Sequence, residues 1–264
     1  LANATVPTPD ARLARDGRTP ADVARDAAAA LEAFLDANHE SVAVLIVEPL
    51  VQGASGMVTY DASYLARARE LCTHYGVHLI ADEIMTGFGR TGTMFACEQA
   101  GIAPDLMLLS KGITGGFLPL ACVLASDAIY DAFYDDDTAR GFLHSHSYTG
   151  NPLACSAALA VLDIFRGDAV IEANRSRAAR WDSLAAPLAA HPKVRDFRRC
   201  GMIVAFEVGS GRADFARWCF AEGIARGILL RPIGRTVYLM PPYVITDDEF
   251  ALLVDRTCEI VELV

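Results

Sequence analysis

Lysine is almost missing from this sequence. Arginine supplies 21 of the 23 basic residues, and lysine occurs only at Lys111 and Lys193. Arginine forms ion pairs at least as well as lysine does, so a charged surface does not explain the exception. Lys111 ends the apolar run DLMLLSK, and this position indicates a task that a guanidinium group does not perform.

Closely paired cysteines and long apolar runs are also lacking. The seven cysteines stand singly and form no C-x-x-C pair, so we interpret them as reduced thiols of a cytoplasmic protein. No apolar run approaches the ~18 residues of a membrane span, and the first residues lack the charged-then-apolar layout of a signal peptide. We therefore expect a protein with no membrane partner.

Basic charge is scarce as well. The formal net charge is −10, which argues against nucleic acid as a partner because phosphate binding needs a basic surface. Arg198 and Arg199 are too few to form such a surface, and the acidic run at 135–137 is typical of a solvated loop. His144 and His146 lack a third ligand nearby, so we predict no metal. Hydrophobic residues make up 53% of the chain, which is ample for a buried core.

The first half of the chain alternates between helical and strand patterns. Residues 1–19 are typical of a connecting segment, and residues 20–38 have helical spacing with Pro20 in the first turn. The run SVAVLIVEP is typical of a strand covered on both faces, and a helix ending at Gly76 follows it. VHLIADE, DLMLLSK and LACVLAS are further strand candidates. The alternation predicts an α/β layer with a mostly parallel sheet.

The pattern changes near Asn151. We predict two long helices, one beginning with Asn151 as N-cap and Pro152 in the first turn, the other over residues 169–190. Short strands are predicted in VRDFRRCGMIVAFEV, GILLRP and TVYLMPP, with helices in DFARWCFAEGIA and TDDEFALLVDRTCEIVEL. This α+β pattern predicts two domains, 1–165 and 166–264.

Two of the apolar runs end in residues that can carry chemistry. VHLIADE ends in Asp82 and Glu83, and DLMLLSK ends in Lys111. Ligands of open α/β sheets bind beyond the carboxyl ends of the strands, so a carboxylate and an amine there face one crevice. Lysine forms a Schiff base with pyridoxal phosphate, and an aspartate pairs with the ring nitrogen of that cofactor. On these residues alone, a surface lysine near a loop-capping aspartate is the simpler interpretation.

Three longer stretches carry a resemblance to a known family. They are EPLVQGASGM, LIADEIMTGFGRTGTMFACEQAGIAPDLMLLSKGITGGFLPL and HSYTGNPLAC. Together they resemble the class III (subgroup II) aminotransferases, and the ordered ADE…GFGRTG…PD…SKG series makes the match specific. The resemblance implies a fold-type I pyridoxal-phosphate-dependent transferase. This chain would then hold part of the mostly parallel sheet of the large domain and a C-terminal α+β small domain.

The resemblance also implies the residues of an active site. Lys111 would carry the cofactor and act as general acid and base, and Asp82 would pair with the pyridine nitrogen. Further cofactor-binding positions are Glu48, Gln52, Ser147 and Tyr148. Ser147 replaces a threonine that usually binds the cofactor phosphate of the neighbouring subunit. Arg231 would bind the carboxylate of the keto acid, and Tyr238 would line the substrate pocket, where Lys111 also meets the substrate.

The segment LLRPIGRTVYLMPPYVI is most similar to the branch of this family that acts in biotin synthesis. That resemblance implies a homodimer with shared active sites that transfers an amino group from S-adenosylmethionine to 8-amino-7-oxononanoate. Two alternatives stay open: another class III ω-aminotransferase, and a catalytically silent fragment that only assembles with a partner. Family members carry a substantial N-terminal portion that this sequence lacks. It therefore looks like the C-terminal part of such an enzyme, and an exposed sheet face and edge are expected.

Overall fold

The computed structural model describes residues 3–264 and separates into two compact units. The N-terminal unit comprises the chain up to Leu50 together with Tyr60–Phe88 and Thr93–Ala169. The C-terminal unit comprises Val51–Thr59, Gly89–Gly92 and Val170–Val264. Two short segments from the first half of the chain thus belong to the unit that the last residues form.

The described residues form eight α-helices and nine strands. The helices are α1 (Pro20–Asn38), α2 (Ala62–Tyr75), α3 (Asp127–Phe133), α4 (Pro152–Gly167), α5 (Val170–Leu184), α6 (Ala186–Ala189), α7 (Phe215–Ala225) and α8 (Asp247–Glu262). The strands are β1 (Val44–Val47), β2 (Val51–Gln52), β3 (Val58–Thr59), β4 (His78–Asp82), β5 (Leu106–Leu109), β6 (Cys122–Ala125), β7 (Val194–Cys200), β8 (Ile203–Val208) and β9 (Thr236–Leu239). Within residues 3–264, none of these helices combines the length and the apolar character that a membrane span requires.

The ends of the helices follow from local capping chemistry. Thr19 and Asp22 form a capping box at the start of α1. Pro20 occupies the first turn, where an N–H group would have no acceptor within the helix, so the proline costs no hydrogen bond. Helix α2 ends at Gly76, whose φ of +68° is a left-handed conformation that glycine adopts at little cost. Asn151 caps α4 by accepting from the Leu153 N–H at 3.0 Å. These predicted helix boundaries are confirmed.

The N-terminal unit is built on a four-stranded sheet with the order β1-β4-β5-β6. The first three strands run parallel, and β6 is antiparallel to β5. Helices α1 and α2 pack together over one face, with Leu79 and Ala81 of β4 in the same core. The predicted α/β layer with a mostly parallel sheet is confirmed.

The opposite face of this sheet is uncovered, and we call it the open sheet face. Its apolar side chains, which share one side of the pleat, are Val44, Ile46, Ile80, Leu106, Leu108 and Val123. Ile46 is 58% exposed and Val123 is 57% exposed. The prediction that the first strand is covered on both faces is wrong, because only Leu45 and Val47 pack against the helices. The expected exposed face is confirmed, and β1 is an edge strand.

Asp105, in the PD segment before β5, joins three elements of the N-terminal unit. Its carboxylate accepts from the Leu79 N–H and from the Arg69 guanidinium, each at 2.7 Å. Burial raises the pKa of Asp105, but these hydrogen bonds outweigh it and hold the pKa below its ordinary value. The charged carboxylate therefore fixes β4 and α2 against the beginning of β5.

The C-terminal unit contains the antiparallel sheet β7-β8-β9, with α5, α7 and α8 contributing to its core. At the centre of that core, the rings of Trp181 and Phe250 stack with centroids 3.8 Å apart and planes 3° from parallel. Both side chains are fully buried. The Trp181 indole nitrogen has no hydrogen-bond partner among the described residues, so this tryptophan contributes through packing alone.

Trp181→Ala is expected to lower the free energy of unfolding by about 3–5 kcal/mol, because it leaves a cavity in the centre of the C-terminal core. Urea titration followed by far-ultraviolet circular dichroism measures the loss. Phe220→Ala in α7 is the control, since Phe220 is 42% exposed and its truncation should change the stability by less than about 0.5 kcal/mol. Equal losses for the two variants would contradict this account of the core.

One predicted strand is wrong, and the two units divide the chain differently from the two predicted domains. GILLRP forms no strand; the residue after it, Ile233, makes an isolated bridge to Thr236. The hairpin β2–β3 belongs to the C-terminal unit because the Arg198 guanidinium donates to the backbone carbonyls of Gly56 at 2.6 Å and Met57 at 2.8 Å. Side-chain bonds between residues this far apart in sequence leave no local pattern.

Candidate active site

Three candidate residues lie at the carboxyl ends of three neighbouring parallel strands. Glu48 follows β1 directly, Asp82 is the last residue of β4, and Lys111 stands two residues beyond β5. Because parallel strands end at the same edge of a sheet, β1, β4 and β5 bring all three to one edge. The strand pairing thus places a carboxylate and an amine at the ends of neighbouring strands.

Asp82 is half-buried and held at the end of β4. One carboxylate oxygen, Oδ1, accepts from the Ile84 N–H at 3.1 Å. The next residue, Glu83, donates its N–H to the Leu108 carbonyl of β5 at 3.0 Å. Within residues 3–264, Asp82 makes no ion pair, and its other oxygen has no hydrogen-bond partner, so it keeps an acceptor for a ligand.

Lys111 differs from Lys193 in what its amine contacts. Lys111 begins a single 3₁₀ turn, Lys111–Thr114, and its φ of +46° lies in the left-handed region. Its amine is exposed and makes no hydrogen bond or ion pair with any residue that the structure describes. The Lys193 amine donates to the Glu262 carbonyl at 2.6 Å and lies 3.7 Å from the Glu262 carboxylate. Of the two lysines, only Lys111 has an amine without a hydrogen bond or ion pair to a described residue.

Glu83 stands beside Asp82 in sequence but has a different role. It is fully buried, and its carboxylate accepts from the Thr86 hydroxyl at 2.5 Å and from the Cys97 N–H at 2.9 Å. Burial, followed by the charge of Glu83, raises the pKa of the Cys97 thiol above its ordinary value. Glu83 therefore fixes the two ends of the loop after β4. The sequence alone does not separate the two roles, because Asp82 and Glu83 are adjacent carboxylates at the end of the same apolar run.

Glu48 and Gln52, both predicted to bind the cofactor, lie in different units. The carbonyl of Glu48 accepts from the Tyr60 hydroxyl at 2.7 Å within the N-terminal unit. Gln52 is in β2, opposite Val58 of β3, within the C-terminal unit. The chain therefore passes from the N-terminal unit to the C-terminal unit between these two residues.

Ser147 and Tyr148 lie in the irregular segment before α4, and both are exposed. A local turn shapes the segment: the Tyr148 N–H donates to His146 Nδ1 at 3.1 Å, and the Thr149 N–H donates to the His146 carbonyl at 2.9 Å. No hydrogen bond joins either residue to Asp82 or Lys111 in the described part of the chain. His146 thus acts in a backbone turn, and residues 3–264 contain no cluster of three potential metal ligands.

Arg231 and Tyr238 belong to the C-terminal unit. Arg231 is exposed, and its guanidinium has no hydrogen bond or ion pair with another described residue. Tyr238 is half-buried in β9, on the face of the strand opposite to the core residues Val237 and Leu239. An unpaired guanidinium is suited to hold a substrate carboxylate through two parallel hydrogen bonds.

Comparison with known proteins assigns the chain to a family. The family model of class-III aminotransferases matches residues 4–261. The chain belongs to this family. Two curated relatives named adenosylmethionine-8-amino-7-oxononanoate aminotransferase are 45% identical over 239 residues, from Helicobacter pylori, and 46% identical over 228 residues, from Nitratidesulfovibrio vulgaris. These matches cover 88% and 82% of this chain but 55% and 42% of the relatives, so this class-III member spans about half their length.

Solved structures of similar aminotransferases have the same fold as this chain. Adenosylmethionine-8-amino-7-oxononanoate aminotransferase from Methanocaldococcus jannaschii superposes with a TM-score of 0.85 at 34% identity, over 90% of this chain and 57% of that one. The omega transaminase from Pseudomonas jessenii in complex with PMP gives a TM-score of 0.89 at 28% identity, over 97% of this chain and 59% of that one. These likenesses establish the fold of a class-III aminotransferase.

Proposed function

We propose that this chain carries the catalytic lysine of a pyridoxal-phosphate-dependent aminotransferase. The observation that carries the proposal is the unpaired Lys111 amine at the same sheet edge as the free oxygen of Asp82. The donor set fits the cofactor, because it combines an amine for the aldehyde with a carboxylate for the ring nitrogen. When bound, the cofactor supplies an electron sink that stabilises negative charge on the substrate carbon.

The remaining roles are proposed for side chains at that edge and outside it. Lys111 Nζ, once free of the cofactor, would take the proton from the substrate carbon and return it as general acid. Asp82 would hold a proton on the ring nitrogen with the oxygen that Ile84 leaves free. Further contacts with the cofactor are proposed for Glu48, Gln52, Ser147 and Tyr148. A hydroxyl at Ser147, shortly before the N-terminus of α4, supports a phosphate contact there.

For the substrates we propose S-adenosylmethionine as amino donor and 8-amino-7-oxononanoate as acceptor, with 7,8-diaminononanoate as product of a biotin pathway. The shared name of the relatives from Helicobacter pylori, Nitratidesulfovibrio vulgaris and Methanocaldococcus jannaschii supports this assignment. Arg231 would bind the carboxylate of the keto acid, and Tyr238 would line the pocket. The alternative, an ω-aminotransferase for another amine, is supported by the TM-score of 0.89 to the Pseudomonas jessenii omega transaminase.

An amino-donor screen tests the substrate assignment. We expect conversion of 8-amino-7-oxononanoate to 7,8-diaminononanoate, followed by mass spectrometry, with S-adenosylmethionine as donor. Activity with alanine or a diamine, and none with S-adenosylmethionine, would support the ω-aminotransferase instead. If borohydride traps no cofactor in well-folded protein, the chain is a silent fragment that acts only with a partner.

We further propose that the chain assembles as a homodimer with shared active sites. Supporting observations are exposed apolar side chains of the N-terminal unit, including Phe117 and Leu143, each 87% exposed. Light scattering after gel filtration should give twice the chain mass of 28.3 kDa. The mass of a single chain at all concentrations tested would contradict the dimer.

We place the protein in the cytoplasm. All seven cysteines are free thiols, and Cys72 and Cys97 are buried in the N-terminal unit. Reduced cysteines are typical of proteins that work in a reducing compartment.

A further inference from the structure

Gly112, directly after Lys111, has no room for a side chain because Phe88 lies against it. A Cβ atom at Gly112 would come within 2.9 Å of Phe88 Cβ, 3.0 Å of Cδ2 and 3.1 Å of Cγ. All three of these nearest atoms belong to Phe88, within the same N-terminal unit. The backbone next to the candidate catalytic lysine is therefore in direct contact with one aromatic side chain.

Phe88 is itself held firmly. It is only 3% exposed, and its ring packs against Phe95 and Phe165, with centroids 5.8 Å and 6.2 Å away. Leu109 and Ile113, which flank Lys111 on either side, belong to the same core cluster. The core therefore surrounds the backbone on both sides of the lysine.

The turn after Asp82 fixes where Phe88 stands. The Gly87 N–H donates to the Glu83 carbonyl at 3.0 Å, and a Cβ at Gly87 would come within 2.9 Å of that same oxygen. Phe88 has a φ of +57°, a left-handed conformation that a residue with a side chain keeps only when its surroundings enforce it. A short, tightly packed path thus leads from Asp82 through Phe88 to Gly112.

Lys111 has a left-handed conformation as well, with a φ of +46°. Such a conformation is unfavourable for lysine, and it persists when packing around the residue leaves no alternative. The Phe88 contact at Gly112 supplies that constraint at the next residue along the chain.

We infer that Phe88 is a positioning residue for Lys111: by packing on Gly112 it holds the lysine backbone left-handed, so that the amine stays at the edge shared with Asp82. The inference rests on the proposed function for its catalytic consequence. Its structural part, that the backbone conformation of Lys111 depends on Phe88, does not require the cofactor.

A series of variants separates positioning from stability. Leucine retains a Cβ, a Cγ and a Cδ, the three kinds of atom that lie closest to Gly112, but loses the aromatic contacts with Phe95 and Phe165. Phe88→Leu should therefore lower stability and keep Lys111 in place, whereas Phe88→Ala should disturb both. Phe165→Leu is the matched control, because it changes the same core from the other side.

The first measurement needs no cofactor. Reductive methylation with ¹³C-formaldehyde labels the two lysines and the terminal amine, and Lys193 serves as the internal reference. In Phe88→Ala we expect the Lys111 methyl resonance to shift or broaden while that of Lys193 stays unchanged. In Phe88→Leu and Phe165→Leu both resonances should match those of the unaltered chain.

The second measurement is the equilibrium constant for covalent attachment of pyridoxal phosphate, followed by absorbance and by borohydride trapping at Lys111. Phe88→Ala and Gly112→Ala should weaken attachment by about ten- to a hundredfold, the scale expected for a displacement of the order of 1 Å. Phe88→Leu and Phe165→Leu should stay within about twofold.

The inference is overturned if Phe88→Ala leaves the Lys111 resonance unchanged, or if the two leucine variants disturb it as much. Failure of the unaltered chain to bind the cofactor would count against the proposed function and not against this inference. The Lys111 resonance is measured without cofactor, so it still tests the effect of Phe88 on Lys111.

Discussion

Lys111→Ala is expected to remove all covalent attachment of pyridoxal phosphate and to lower the transamination rate by at least roughly 10²–10⁴-fold, the contribution of a positioned general acid and base. The reason is that Lys111 lies at the sheet edge shared with Asp82, whereas Lys193, the other lysine, lies in the C-terminal unit and is bonded to Glu262. Borohydride reduction followed by peptide mass spectrometry locates the cofactor, and a coupled assay gives the rate.

Lys193→Ala is the matched control for Lys111→Ala, because it removes the only other lysine. It should keep both the attached cofactor and the rate. Lys111→Arg should be as inactive as the alanine variant, since a guanidinium keeps the charge but does not form a Schiff base. Cofactor found on Lys193 in the unaltered chain would refute the assignment.

Asp82→Asn is expected to lower kcat by about 10²–10³-fold while leaving the cofactor attached to Lys111. Asparagine has the same shape and keeps an oxygen to accept from the Ile84 N–H, so the strand end should stay in place. The variant loses the negative charge that keeps the ring nitrogen protonated, and removal of one preorganised electrostatic group has effects of this size. Single-turnover kinetics measured by the absorbance of the cofactor would show the slower step.

Asp105→Asn is the control for Asp82→Asn, since Asp105 lies before β5, at the opposite end of the sheet. It should destabilise the fold, because its charged carboxylate binds Arg69 and the Leu79 N–H, but kcat should change little. A similar fall in kcat for both variants would show that the Asp82 effect is a loss of stability. An unchanged kcat in Asp82→Asn would remove this residue from the proposed mechanism.

Local signals explain the parts of the fold that the sequence predicts well. Helix ends are set by capping residues that act on their nearest neighbours in sequence: Thr19 and Pro20, Gly76, and Asn151 with Pro152. Such ends can be predicted from a short stretch of sequence. The parallel pairing of β1 with β4 follows from the helix α2 that stands between them. These features depend on residues close in sequence, and each was predictable for that reason.

Features that depend on distant residues were not predictable. An apolar run such as SVAVLIVEP does not reveal whether both faces of its strand are covered, and the exposed Ile46 shows that one is not. GILLRP has strand composition but pairs with no other segment. Within the site, Asp82 and Lys111 could be found from chemistry at strand ends. The buried contacts of Glu83 and the packing of Phe88 on Gly112 required coordinates, because no pattern of residue types encodes them.

The bonds from Arg198 to the hairpin β2–β3 bear on how the protein is made. Arg198 is separated by 142 residues from Gly56 and by 141 from Met57. At a translation rate of about 5–20 residues per second, the ribosome needs roughly 7–28 seconds to reach the arginine after the hairpin has been synthesised. The nascent hairpin, with Gln52 on it, must therefore wait for its partner while the α/β sheet of the N-terminal unit can already assemble. Completion of folding at this position is therefore a late event.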